Sequence, residues 1–208
     1  MTSTEPRPII PSIMLRRLAP EDTWAVHQLF AALHTYNASL DARFRLADAW
    51  PQVLDEYLQH VCDHPHRLTL LAWAEAEPVG LLMLDGHTDS PLFQHRQWAE
   101  LVALYIVPAH RGSGLAARMV AAGAAWAQDH GYDRVQLYVT RSNVSARQFY
   151  ARRGFTPVQE VWRLDVAPRH RLAPHDPDCE AIYAQGHHLL STHQHGIGEG
   201  HDDLGSVR

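Results

Sequence analysis

The residues that most clearly could do chemistry lie between Ala99 and Trp126, in AELVALYIVPAHRGSGLAARMVAAGAAW. A β-rich run, Leu101 to Val107, ends at Pro108. A short turn with Arg111, Gly112 and Gly114 follows, and then a helix rich in small residues. The first N–H groups of a helix have no internal partner, and its dipole places partial positive charge there. Glycines let the backbone come close to a ligand. Gly112 to Ala116 is therefore a cradle for a phosphate or pyrophosphate. A P-loop is excluded, because it needs a lysine and the chain has none. Gly112, Gly114 and Ala117 meet the G-x-G-x-x-A spacing of a dinucleotide turn, but the strand before them lies in mid-chain instead of opening a βαβ unit.

A third reading joins two stretches. Arg111, Gly114 and Ala116 fit R/Q-x-x-G-x-G/A, an acetyl-CoA pyrophosphate loop. After the helix and a strand from Arg134 to Val139 comes NVSARQFYARRGF. Asn143, Ala146, Phe149, Tyr150, Gly154 and Phe155 complete the pattern N-x-x-A-x-x-F-Y-x-x-x-G-F. With both motifs in order, the chain resembles the GNAT superfamily of acetyl-CoA-dependent N-acetyltransferases from about Ile13 to Val166. The resemblance implies an α/β (α+β) fold: a mixed, mostly antiparallel sheet with a central splayed parallel strand pair, flanked by helices on both faces.

It also implies roles. The strands part near Pro108, and the N–H of Ile106 or Val107 would polarise the acetyl carbonyl. Arg111, Gly112, Ser113, Gly114, Leu115 and Ala116 would hold the pyrophosphate, and Asn143 would contact the pantetheine or nucleotide arm. Tyr150 would be the general acid toward sulfur, since a phenol near pKa ~10 can donate to a thiolate near ~8.5. Glu100 is the candidate base, acting through water. Strict period 2 places it on the face of Val102 and Leu104. His34, Asp85 and His110 are substitutes for it. The polar stretch His34 to Ala47 would line the acceptor side, with His34, Tyr36 and Asp41 as contacts and Arg43 and Arg45 beside them.

The remaining elements must position these groups. Ile13 to Leu18 reads as a first strand. Pro20, Glu21 and Asp22 open a helix whose apolar face is Val26, Leu29, Phe30 and Leu33. A second helix runs from Asp48 to about Val61. Arg67 to Ala74 and Val79 to Leu84 pair through the turn Glu75 to Pro78, and His87 to Gln97 is a loop. The glycine-turn helix covers about Ser113 to His130, with Gly131 as its stop. Phe149 belongs to the core, while Tyr150 points elsewhere. Phe155 begins a last strand pair, of which Val161 to Val166 is the clearer member.

The 208 residues suffice for one substantial core. Residues 1–11 read as a flexible lead-in, 12–166 as the N-acetyltransferase domain, and 167–208 as a His-rich extension, partly disordered or surface-packed. Apolar content of 46%, charged content of 20% and net charge −5 fit a cytoplasmic globular protein. They give no support to a nucleic-acid or membrane partner. No apolar run is long enough to span a membrane, and no signal peptide is evident. Cys62 and Cys179 read as unpaired thiols. The extension carries His170, His175, His187, His188, His193, His195 and His201 without a ligand spacing, so no metal site is assigned. The sequence thus points to transfer of acetyl from acetyl-CoA to a primary amine of a small molecule or peptide. A homodimer is left open. The alternative is a non-catalytic acyl-CoA-binding module of the same fold.

Overall fold

The computed structural model describes residues 12–62 and 64–166. Two units divide the chain, Met1–Val158 and Gln159–Arg208. In the first, strands β1 (Ile13–Arg17), β2 (Arg67–Ala74), β3 (Glu77–Thr88), β4 (Gln97–Ile106) and β5 (Val135–Gln136) form one sheet in the order β1-β2-β3-β4-β5. Neighbours from β1 to β4 are antiparallel, and β4 with β5 is parallel. The fold is the expected mixed sheet, with the parallel pair at the edge of the described strands.

Side-chain alternation splits the core across the sheet. Leu71, Trp73, Leu81, Met83 and Ala103 meet helices α1 (Thr23–Leu40) and α2 (Trp50–Gln59) on one face. Leu68, Leu70, Leu82, Leu84, Leu101 and Ile106 meet α3 (Leu115–Asp129) on the other. Close packing of α3 depends on Gly123, where a Cβ would lie 2.7 Å from Leu84 Cδ1. At the end of α3, Gly131 has φ +76°, and the Tyr132 N–H donates to Ala127 O. Helix α4 (Val144–Ala151) begins at Asn143, whose side chain accepts from the Ala146 N–H at 3.1 Å.

Several expectations are corrected. Residues 34–40 are not loop but the last turns of α1. Their polar side chains bond to the helix itself, Thr35 Oγ1 to Ala31 O and Ser39 Oγ to Tyr36 O, so the hydroxyls are satisfied without leaving the helix. His87 lies in β3, which runs on to Thr88, so the connection to β4 is shorter than expected. The strand after α3 holds only Val135–Gln136, because pairing with β4 stops there. Residues 156–166 carry neither helix nor strand, and Val161, Trp162, Leu164 and Val166 are exposed. Alternation makes a segment fit for a strand, but only pairing makes it one. The lead-in 1–11 and the extension 167–208 with its histidines and Cys179 lie outside the described residues.

Candidate active site

The site is built on the outer edge of β4. Only Ala99 and Glu100 face partners on β5, Val135 and Gln136. Beyond Glu100, β4 continues for six residues to Ile106 without β5 beside it. The strands therefore part within the sheet, and among the described residues no strand pairs with the outer edge of β4 from Leu101 to Ile106. At its far end the Val107 N–H donates to Val79 O at 3.0 Å, so that group is engaged by β3. Backbone groups of a strand point alternately to either side. Ile106 and Leu104 therefore direct their N–H groups away from β3, on the outer edge. Of the two expected carbonyl contacts, Ile106 keeps a group for a ligand and Val107 does not. Leu104 was missed from sequence, because which N–H points outward depends on the pairing phase.

That phase is set by a bulge. Met83 faces Ala103 while Leu84 faces Leu101, which leaves Val102 as an extra residue, 44% exposed. The bulge overturns the simple period-2 placement of Glu100. Ala99, Leu101, Leu104 and Ile106 pack on the α3 side, and Ala103 and Tyr105 on the α1 side. Glu100 shares the α1 side with Ala103 and Tyr105, not the face of Leu104.

The glycine turn stands at the end of the outer edge of β4. Gly112 and Gly114 have φ of +77° and +83°, and no atom lies within 4 Å of a Cβ built on either. Both left-handed conformations favour glycine. Gly114 starts α3 without a side-chain cap. Ser113 Oγ donates to His110 O at 2.7 Å and lies 3.4 Å from the Leu115 N–H. The turn thus leaves open space beside both glycines at the helix start, which fits a pyrophosphate. The Arg111 side chain turns elsewhere. Its Nε donates to Ile106 O at 3.0 Å, and its guanidinium lies 5.9 Å from the Tyr36 ring centre and 5.6 Å from that of Tyr105. It braces the end of β4 on the α1 side and does not stand over the helix start.

Tyr150 does not point away from Phe149. Its ring packs edge-on to Phe149 at 5.3 Å and Phe155 at 5.4 Å, all three against the α3-side core. Burial pushes its phenol up to about 12. Among the described residues nothing hydrogen-bonds its hydroxyl. Asn143 Oδ1 caps α4 and lies 3.5 Å from the Tyr36 hydroxyl, the limit of a hydrogen bond. This contact brings the ends of α1 and α4 together.

Glu100 lies where β4 and β5 part. Its Oε2 is 3.1 Å from His87 Nε2. Asp85 faces it from β3 but is already occupied: it accepts from the Tyr57 hydroxyl at 2.5 Å and lies 3.9 Å from Arg67. That engagement makes Asp85 a poor substitute base. His34 packs on Phe30 at 4.3 Å, toward α2, and burial lowers its pKa. Asp41 accepts from the Arg43 N–H and caps the turn after α1. His110 sits in the turn after β4. Tyr36, Tyr105, Arg111 and Asn143 are thus brought together, while His34 packs on Phe30 and Asp41 caps the turn after α1. Among the described residues, no group of three or more His, Cys, Asp or Glu side chains is arranged to hold a metal ion. None of the described helices is long and apolar enough to cross a membrane.

Known proteins share these features. The profile of the acetyltransferase (GNAT) family matches residues 25–155. An uncharacterized N-acetyltransferase of Mycobacterium tuberculosis is 36% identical over 91 residues, covering 44% of this chain and 54% of that protein. A mycothiol acetyltransferase of Pseudarthrobacter chlorophenolicus is 29% identical over 177 residues, covering 80% of this chain and 49% of its own length. The chain spans about half the length of the curated relatives it matches. Among solved structures, an aminoglycoside N-acetyltransferase in complex with CoA superposes with TM-score 0.61 at 15% identity, over 80% of this chain and 99% of that one.

Proposed function

We propose, from the premise that this chain belongs to the acetyltransferase (GNAT) family, that it is a cytoplasmic N-acetyltransferase. It moves acetyl from acetyl-CoA to a primary amine of a small molecule or peptide, by direct attack in a ternary complex. The observation that carries this reading is the outer edge of β4, with the Leu104 and Ile106 N–H groups directed outward along it and the glycine turn at its end. An extended thioester fits such an edge, its pyrophosphate at the start of α3. The names of relatives that act on mycothiol and on aminoglycosides favour a small-molecule acceptor.

Acetyl-CoA, when bound, supplies the acetyl thioester. Gly112 to Ala116 hold its pyrophosphate through backbone N–H groups. The β4 N–H groups stabilise negative charge on the carbonyl oxygen as it develops, at an edge whose donors need no reorganisation. Glu100 removes a proton from the ammonium form of the acceptor, which dominates at neutral pH. Four residues of strand, at most about 13 Å, separate it from Leu104, so it works through a chain of waters. Tyr150 donates toward the sulfur as the C–S bond breaks. Arg111 and Tyr36 shape the acceptor side, together with Asn143.

Thiol release from acetyl-CoA is the test, with an aminoglycoside, spermidine and a peptide amine as acceptors. Amine-dependent release that is lost in E100Q supports the proposal. Binding of acetyl-CoA without release from any amine would leave an acyl-CoA-binding module instead.

A further inference from the structure

The polar face beneath the start of β4 contains more than a base. His87 Nε2 lies 3.1 Å from Glu100 Oε2. That nitrogen is closed off from water and makes no aligned hydrogen bond. Yet the His87 side chain as a whole is 41% exposed, against 24% for Glu100. Trp98, directly opposite on β4, stacks on the imidazole with ring centres 4.5 Å apart and planes at 20°. Trp98 is fixed in turn, its Nε1 donating to Asp89 at 3.0 Å and the Arg134 guanidinium lying over its ring. The imidazole is therefore held with one nitrogen against the carboxylate and the rest of its edge toward solvent.

The other charged and titratable groups on this face already have partners. Asp85, next to His87 on the same side of β3, takes the Tyr57 hydroxyl from α2 and faces Arg67 of β2. Asp89 takes Arg134 at 3.1 Å. A proton on Glu100 consequently meets one basic nitrogen at 3.1 Å, His87 Nε2, which a small turn of the imidazole brings into line.

We propose that His87 is a relay residue that clears the amine proton from Glu100 to solvent after each transfer. The inference rests on Glu100 being the base. Glu100 first takes the proton through water, its O–H bond forming as the N–H bond of the ammonium breaks. The carboxyl proton then passes to Nε2 of the neutral imidazole, which restores the carboxylate. The imidazolium gives up its Nδ1 proton to bulk water and is left as the Nε2–H tautomer, and a turn of the ring with solvent exchange returns the proton to Nδ1 before the next cycle. Nothing is consumed, and the net change is one proton from the acceptor to solvent.

The experiment follows kcat and KM from about pH 5 to pH 9, which spans the range of about pH 5 to 8 in which an imidazole titrates. It uses the unaltered chain, H87Q and E100Q, with acetyl-CoA and whichever of spermidine, an aminoglycoside or a peptide amine turns over. The relay predicts that H87Q loses about tenfold or more in kcat with KM for acetyl-CoA unchanged. It also predicts that the fall of kcat on the acid side moves to lower pH, because a neutral imidazole is no longer required. H87A should regain turnover when free imidazole is added. An H87Q enzyme with the kcat and pH profile of the unaltered chain would overturn the relay while an inactive E100Q left the base in place. So would an equal loss at every pH without imidazole rescue, which marks a packing role. Full activity in E100Q, or no turnover with any amine, would sink the underlying reading, and the relay with it.

Discussion

Tyr150 shows how burial limits what a residue can contribute. A phenol held up to about 12 stays protonated throughout the physiological range. Complete transfer to a thiolate near ~8.5 is uphill, so its main contribution is a hydrogen bond to charge gathering on sulfur. Y150F should therefore lower kcat by about 10- to 100-fold, less than loss of a full acid, and leave KM for acetyl-CoA unchanged. Steady-state kinetics check this, and an unchanged kcat removes Tyr150 from the mechanism. The same burial has a stability consequence. The folded value lies above the unfolded value near ~10, so this contribution is complete below pH ~10 and is lost as pH rises toward 12. Between pH 8 and 11 the unaltered chain should lose on the order of 1 kcal/mol more than Y150F in urea unfolding. Equal losses would mean that the phenol is not desolvated. His34 works in the opposite sense. Burial lowers its folded pKa, so its contribution is present above the unfolded value and fades as pH falls.

At the scale of elements, two glycines carry sharp expectations. Gly114 starts α3 at φ +83°, where an alanine would be strained although space is open. G114A should weaken acetyl-CoA binding about tenfold, measured by calorimetry, since a strain of 1–2 kcal/mol at this point moves the cradle. Unchanged affinity would place the pyrophosphate elsewhere. Gly86 lies under Tyr132, whose hydroxyl would be 1.9 Å from an added Cβ and bonds to His66 Nδ1 at 2.8 Å. G86A should lower stability by about 2 kcal/mol through displacement of that ring, and an unaltered Tm would contradict the packing described. What the sequence revealed and what it hid also separate here. The β4–turn–α3 stretch was legible because glycines, a proline and apolar periodicity agree locally. The end of α1 was not, because Thr35 and Ser39 oppose a helix by propensity, and nothing local shows that their hydroxyls are satisfied by its own carbonyls. The bulge at Val102 left no local signal, so the side taken by Glu100 and the outward N–H of Leu104 stayed hidden. Pairing of His87 with Glu100 depended on β3 continuing past Asp85, which local alternation did not indicate.

The Met1–Val158 unit is a sheet covered by helices on both faces, whose last described strand leaves its neighbour after two paired residues. Both faces supply the proposed site: Arg111, Tyr36 and Tyr105 on the α1 side, Tyr150 and the start of α3 on the other. A ligand laid along β4 would touch elements from both layers and should stabilise the fold as a unit. The most direct measurement is thermal unfolding of the whole chain with acetyl-CoA, CoA or NAD. At about 100 times Kd a ligand adds about 2.7 kcal/mol, which for a chain of this size raises Tm by about 5–10 °C. The account predicts that rise with acetyl-CoA and with CoA, and none with NAD. No rise with acetyl-CoA, or a rise with NAD alone, would contradict it.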